Sequence, residues 1–336
     1  YPRPHPRPRH HRHSGVLVRR WNAWGVSLSV NDDIPFNRNF TLAPGVVDEV
    51  VPGVRRVLCN NPSPFTFTGT VSYIVGKGNV AIIDPGPIDE AHTQALLDAV
   101  RGETVTHILV THTHKDHSPG VAALKAATGA TVYAEGPHRA SRPAYASETR
   151  ATESGGDWNF RPDVTLKDGD VVEGNGWLLD VIATPGHTAN HIAFAWPERN
   201  LSFVGDHVMG WSTSIVAPPD GSMVDYMASL ERLASRKEQL YFSGHGPDIP
   251  DAVRFVKFLI RHRKAREASI LHRLAKGEAD IPTIVRASYI GIDPRLAGAA
   301  GYSVLAHLED LVARNIVATD GDPTISGSYR LVAPLA

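Results

Sequence analysis

One stretch constrains the fold of this chain more than any other: Thr111-His112-Thr113-His114-Lys115-Asp116-His117, with three imidazoles and a carboxylate in close succession. It follows the apolar run His107-Ile108-Leu109-Val110, so the cluster stands at the end of an expected buried strand. Neutral imidazole and carboxylate are the donors that borderline divalent metals prefer. Residues two apart in an extended segment face the same way, so His112 and His114 can reach one ion. Asp116 and His117 follow where the chain turns towards a helix, and adjacent side chains there diverge enough to serve a second ion. A dinuclear site needs more donors, and Gly-containing turns supply them at Gly186-His187, Gly205-Asp206-His207 and Gly244-His245-Gly246. Donors so far apart in sequence meet only if several strands end at one edge.

The rest of the body fits such a scaffold. Phe67–Val75 and Val80–Ile83 read as strands, the latter stopped by Asp84-Pro85-Gly86-Pro87. Ile88–Val100 has helical spacing, and Thr106–Val110 is a short buried strand. Ser118 is expected to cap the next helix, with Pro119 in its first position and Val121–Ala127 as its body. Further strands are expected at Trp177–Ile182, His191–Ala195, Leu201–Val204 and Leu240–Phe242, with a helix at Met223–Leu233. Mixed strands and helices in this order predict an α/β fold of two sheets covered by helices. Arg139–Pro162 is polar and reads as a long surface loop that could act as a lid.

Composition narrows the class. The 336 residues are 42% hydrophobic and 21% charged, as in ordinary globular proteins. A formal net charge of -1 makes the whole molecule no obvious polyanion binder. The single cysteine, Cys59, excludes an intramolecular disulfide and reads as a small packed residue, not a nucleophile. No apolar run approaches the ~20 residues of a membrane span. Residues 1–20 are rich in Arg, His and Pro without an acid, and read as a disordered basic leader. The expected compartment is the cytoplasm, or the mitochondrion for a eukaryotic source.

The catalytic body is expected over 21–250, and composition then shifts. Arg254–Lys276 is a long helical candidate with Arg254, Lys257, Arg261, Arg263, Lys264, Arg266, Arg273 and Lys276 against one acid, Glu267. Helical candidates at Pro282–Ala287 and Pro294–Arg314 and a hairpin over Ile316–Val332 complete the order of a winged helix across 251–336. Such a domain can bind nucleic acid through phosphate contacts, pack against the catalytic body, or make a homodimer.

The motifs at Thr111–His117, Thr184-Pro185-Gly186-His187-Thr188, Gly205-Asp206 and Gly244-His245-Gly246, with the strand-end acid Asp84, resemble the metallo-β-lactamase fold superfamily. Asn61–Pro64, Gly205–Trp211, Asp225–Leu230 and the tail residues Arg263, Arg266-Glu267, Ile270-Leu271 and Ala306-His307-Leu308 are similar to its β-lactamase-like protein two group. The resemblance implies an αββα sandwich with a C-terminal winged helix and two divalent metal ions, zinc first, with manganese or iron as alternatives. His112, His114 and His187 would bind one ion; Asp116, His117 and His245 the other; Asp206 would bridge. Asp84 and His191 would stand behind the ligands, Asp84 fixing an imidazole tautomer. A second role for His191, as proton donor to the leaving group, stays open.

Two ions can hold a shared water, lower its pKa towards ~7 and present hydroxide, with Asp116 and Asp206 as the catalytic carboxylates. Zinc β-lactamases of this superfamily usually lack an aspartate at the Asp206 position, so its presence points to thioester or phosphodiester hydrolysis. The first expectation is a phosphodiesterase acting on single-stranded RNA, as a mitochondrial member of the group does. The alternatives are a glyoxalase II-type thioesterase, a hydrolase of other small esters or lactones, and a non-catalytic nucleic-acid binder, which seven retained ligands disfavour.

Overall fold

The computed structural model describes residues 34–146, 148 and 155–334. The expected leader and the start of the body near Trp21 lie outside the described residues. One sheet runs in the order β1 (Val47–Val51), β2 (Val54–Leu58), β3 (Val71–Lys77), β4 (Asn79–Ile83), β5 (Thr104–Leu109), β6 (Thr131–Ala134), β7 (Val164–Thr165). Its first four strands form an antiparallel meander, and β4 to β7 pair in parallel. Parallel neighbours need crossovers, which α1 (Glu90–Ala99) and α2 (Val121–Thr128) provide.

The second sheet holds β8 (Val171–Gly174), β9 (Trp177–Ala183), β10 (Ile192–Trp196), β11 (Leu201–Gly205), β12 (Leu240–Ser243) and β13 (Ile249–Pro250), each paired with the next. β11 and β12 pair in parallel around α3 (Met223–Ala234). The inner faces of the two sheets meet in a core that includes Tyr73, Leu109, Phe194, Phe203 and Phe242. The Tyr73 ring lies 5.3 Å from Phe203 and 5.4 Å from Phe242. Burying each such side chain stabilises the fold by roughly 1.5–3 kcal/mol. Leu96 and Leu124 pack the two crossover helices on the outer face of the first sheet, and Tyr226, Leu230 and Leu233 pack α3 on the second.

The long α4 (Ala252–Ala275) belongs to two cores. Phe255, Val256 and Leu259 pack with α3 and the second sheet, whereas Ile270 and Leu274 pack with α5 (Ile281–Ser288) and α6 (Ala297–Ala313). The hairpin β14 (Val317–Thr319) and β15 (Tyr329–Leu331) closes this C-terminal winged helix.

Three local expectations are corrected. Gly120, not Ser118, caps α2; a Cβ there would lie 2.7 Å from the Pro85 carbonyl oxygen, and the Ser118 hydroxyl is used on Asp157 instead, at 2.8 Å. β3 begins at Val71, not Phe67, because Phe67 (φ 56°) and Gly69 (φ 139°) break the extended backbone. Gly69 is required there: a Cβ would stand 2.0 Å from the Cys59 carbonyl oxygen. The described end of the polar loop is not free surface, since Lys115 N donates to Gly155 O at 2.9 Å and Phe160 is buried. The basic run of α4 divides by exposure: Arg254, Lys257, Arg261 and Lys264 are exposed, but Arg263 and Arg266 are only 3% exposed.

Candidate active site

The donors arrive from both sheets at one edge. β5 delivers Thr111–His117, the turn before β10 delivers His187, β11 leads into Asp206 and β12 leads to His245. Close packing of backbone forces glycine at these turns. A Cβ on Gly244 would lie 2.3 Å from Asp206 Oδ1, and one on Gly205 2.6 Å from Thr111 Oγ1.

The side chains fall into two groups that could each hold a metal ion, His112 with His114 and His187, and Asp116 with His117, Asp206 and His245; donor atoms within each lie within 4.8 Å of one another. Asp206 faces both groups. Its Oδ2 is 3.1 Å from His245 Nε2, 3.7 Å from His187 Nε2 and 4.0 Å from His112 Nε2, and its Oδ1 is 3.5 Å from His117 Nε2. Asp116 Oδ2 is 3.2 Å from His245 Nε2.

Every imidazole has its outer nitrogen tied to an acceptor, which assigns its tautomer. His117 Nδ1 donates to Asp84 Oδ2 at 3.0 Å, His245 Nδ1 to Gly69 O at 3.1 Å and His187 Nδ1 to Ile215 O at 2.6 Å. Thr111 donates its hydroxyl to Asp84 at 2.7 Å and so can accept from His112 Nδ1 at 3.0 Å. His114 is turned the other way, with Nε2 2.9 Å from Asp220 Oδ2. The inner nitrogens are thereby aimed at one another: His117 Nε2 lies 3.3 Å from His245 Nε2, and His114 Nδ1 3.0 Å from His187 Nε2. His112 Nε2 and Asp206 Oδ1 are buried and make no hydrogen bond. Lone pairs converging this closely repel unless a cation or proton lies among them, and the donor set fits divalent cations.

The electrostatics agree. Burial pushes His112 well below the ordinary imidazole range and His187 down to about 4, so both are neutral donors. Burial would raise Asp206 and Asp116, but the imidazoles of His245 and His117 outweigh it and hold both carboxyls well below their usual range. Burial would likewise lower His245, but Asp206 and Asp116 push it up to about 9. Two carboxylates amid this much imidazole are a donor set that could hold cations.

Residues 65–245 match the family profile described as Metallo-beta-lactamase superfamily. The chain belongs to this superfamily. Residues 281–327 match the beta-lactamase associated winged helix domain. A beta-lactamase-like protein 2 homolog of Drosophila melanogaster is 31% identical over 276 residues, 79% of this chain and 89% of that relative. An atrochrysone carboxyl ACP thioesterase of Claviceps purpurea is 30% identical over 233 residues, 68% of each chain. A beta-lactamase domain protein from Burkholderia ambifaria shares the fold at a TM-score of 0.72 and 20% identity, over 89% of this chain and 97% of that one. As a superfamily hydrolase with α/β sandwich and winged helix, the chain has the class and architecture expected from its motifs.

Among the residues singled out from the sequence, Asp84 stands behind the ligands in the left-handed region (φ 50°), accepting from Thr111 N at 2.8 Å as well as from the Thr111 hydroxyl and His117. An aspartate tolerates this conformation at modest cost, and the three hydrogen bonds hold it there. His191 stacks on the outer side of His112 with ring centroids 5.1 Å apart, and burial pushes it well below the ordinary range. It is buried, and its Nδ1 meets the Thr184 hydroxyl at 2.8 Å. His207 is buried against Tyr226, at 4.5 Å. Cys59 is buried and its thiol is pushed up to about 12, by burial first and then Asp89, which removes it as a nucleophile.

Sequence reading missed Asp220 and His138. Asp220 supports His114, and its Oδ1 lies 3.5 Å from His138 Nε2; His138 Nδ1 in turn meets the Thr113 hydroxyl at 2.9 Å. Asp220 follows two prolines in a loop and has no local pattern to mark it. Only its position after the chain re-enters the site reveals the pairing.

Proposed function

We propose that this chain hydrolyses thioesters, using two divalent cations. His112, His114 and His187 would hold one, Asp116, His117 and His245 the other, and Asp206 would reach both. When bound, such a pair polarises a scissile carbonyl and activates water. The protein's own contribution is placement. Outer-nitrogen hydrogen bonds hold five imidazoles in one tautomer each, so the site needs little reorganisation. Asp116 has the most exposed side chain of the set, at 27%, so it is the carboxylate that solvent and an entering substrate meet.

The observation that carries the choice of substrate is the C-terminal domain. Helix α6 stands where a winged helix presents its reading helix, yet its span Ala297–Ala313 contains no Lys or Arg and carries Glu309 and Asp310. Its residues Val304–Leu308 are buried. A reading helix needs exposed cations for phosphate. Between the domains lies instead a cavity of about 560 Å³, lined by residues of both and sized for a small acyl substrate. A thioesterase among the relatives supports the same choice.

A second reading, cleavage of single-stranded RNA, is favoured by the exposed stripe Arg254, Lys257, Arg261 and Lys264 on α4. One panel tests both. Protein loaded with zinc or manganese is offered acyl-CoA, S-lactoylglutathione, a lactone, a β-lactam and a single-stranded oligoribonucleotide. The expected result is thiol release that Asp206→Ala abolishes. Chelator-sensitive cutting of the oligoribonucleotide with no thiol release would replace the first reading by the second.

A further inference from the structure

We infer that Arg263 and Arg266 form a binding site for an oxyanion, a phosphoryl or carboxylate group, inside the cavity between the domains. Both guanidinium-bearing residues line that cavity, and both are 3% exposed. Among the described residues neither makes an ion pair, although buried charges are ordinarily paired.

Their hydrogen bonds are few. Arg263 donates one NH2 group to Ser214 O, Arg266 donates Nη1 to Ser288 O at 2.5 Å, and the Nε of each is buried without a partner. Each rests on an aromatic face, Arg263 on Tyr226 at 5.0 Å and Arg266 on Tyr289 at 4.0 Å. Those rings orient the guanidinium planes without neutralising them. Burial, with Tyr289 partly opposing it and Arg263 adding to it, pushes Arg266 below its ordinary range. Two buried like charges, one helical turn apart with donors to spare, are an unfavourable arrangement that an oxyanion would relieve. A pair of guanidiniums matches such a group through charge-assisted, forked hydrogen bonds.

The site is coupled to the donor cluster by adjacent carbonyls. Ser214 O accepts from Arg263 while Ile215 O accepts from His187 Nδ1. A substrate carrying such an anion would be held by the arginine that bonds the carbonyl next to the one orienting His187. Reading it as substrate recognition rests on the hydrolase proposal above; anion binding itself does not.

The test therefore reads binding apart from turnover. Melting of the metal-loaded protein is followed with increasing inorganic phosphate or succinate, for the native chain and for Arg266→Met and Arg263→Met. The expected result is a rise in Tm with one of the two anions, whichever is the better mimic. Both variants should reduce the apparent affinity roughly tenfold or more with metal content unchanged. Arg266→Lys, which keeps the charge, should recover part of it. Because each methionine removes an unpaired buried charge, the variants should melt no lower than the native chain without anion. An anion response undiminished in both variants, or none in the native chain, overturns the inference. So does a melting temperature that falls in both variants without anion, which would make the arginines structural. Hydrolysis is measured separately, so loss of thioesterase activity in the panel above leaves this result standing.

Discussion

His114 is held at both ring nitrogens, with Nε2 2.9 Å from Asp220 Oδ2 and Nδ1 3.0 Å from Nε2 of His187. The carboxylate fixes the tautomer whose Nδ1 lone pair points into the first donor group. Asp220→Asn keeps the volume but can turn an NH2 group towards the ring. Metal affinity should fall about 10–100-fold, as is usual when an outer partner of a ligand is changed. Competition against a chromophoric chelator measures this, and native affinity in the variant would remove Asp220 from the site.

Gly244→Ala should abolish tight metal binding while the sheets still form. The added methyl would lie 2.3 Å from Asp206 Oδ1 and 2.6 Å from His117 Cε1, so the carboxylate facing both groups must move. Metal analysis after gel filtration gives the answer, and two ions per chain in the variant would contradict it.

Chelation should remove activity and lower Tm together. Binding to the native state alone stabilises it, by about 2.7 kcal/mol at a hundred times Kd. Without ions, Asp206 is left as a buried carboxylate and Asp116 as a half-buried one, both beside imidazoles. Melting with EDTA, then with restored zinc, should be reversible; an unchanged Tm would mean that the cage is not filled in the native protein.

Phe203→Ala should destabilise the chain by about 3–5 kcal/mol, the range for a large aromatic lost from a packed core. Phe203 is 1% exposed and packs on both Tyr73 and Phe242 where the two sheets meet. Urea unfolding at fixed metal concentration measures it. A loss under 1 kcal/mol would mean that the inter-sheet core collapses around the gap.

The donor residues were legible in the sequence because each is marked locally. His112 to His117 follow an apolar strand, and His187, Asp206 and His245 each follow a glycine that the crowded turn requires. The central strands β3 to β5 and β9 to β12 were legible from strand and turn chemistry, but the outer strands β1, β2, β6, β7, β8 and β13 were not. Asp220, His138 and the carbonyls of Gly69 and Ile215 were not, since each acts through contacts set by tertiary packing. The Ser118 cap was misread because the close approach of Pro85 to Gly120 cannot be seen along the chain. Arg263 and Arg266 carry the same signal as their exposed neighbours on α4; only the docking of the C-terminal domain distinguishes them.

Helix α4 runs from Ala252 to Ala275 without a glycine or proline, and its two ends lie in different cores. A continuous helix bends little, so it acts as a splint across the joint. The two lobes cannot swing apart like a clamshell without melting it. The cavity between them is therefore walled on one side by a single rigid element.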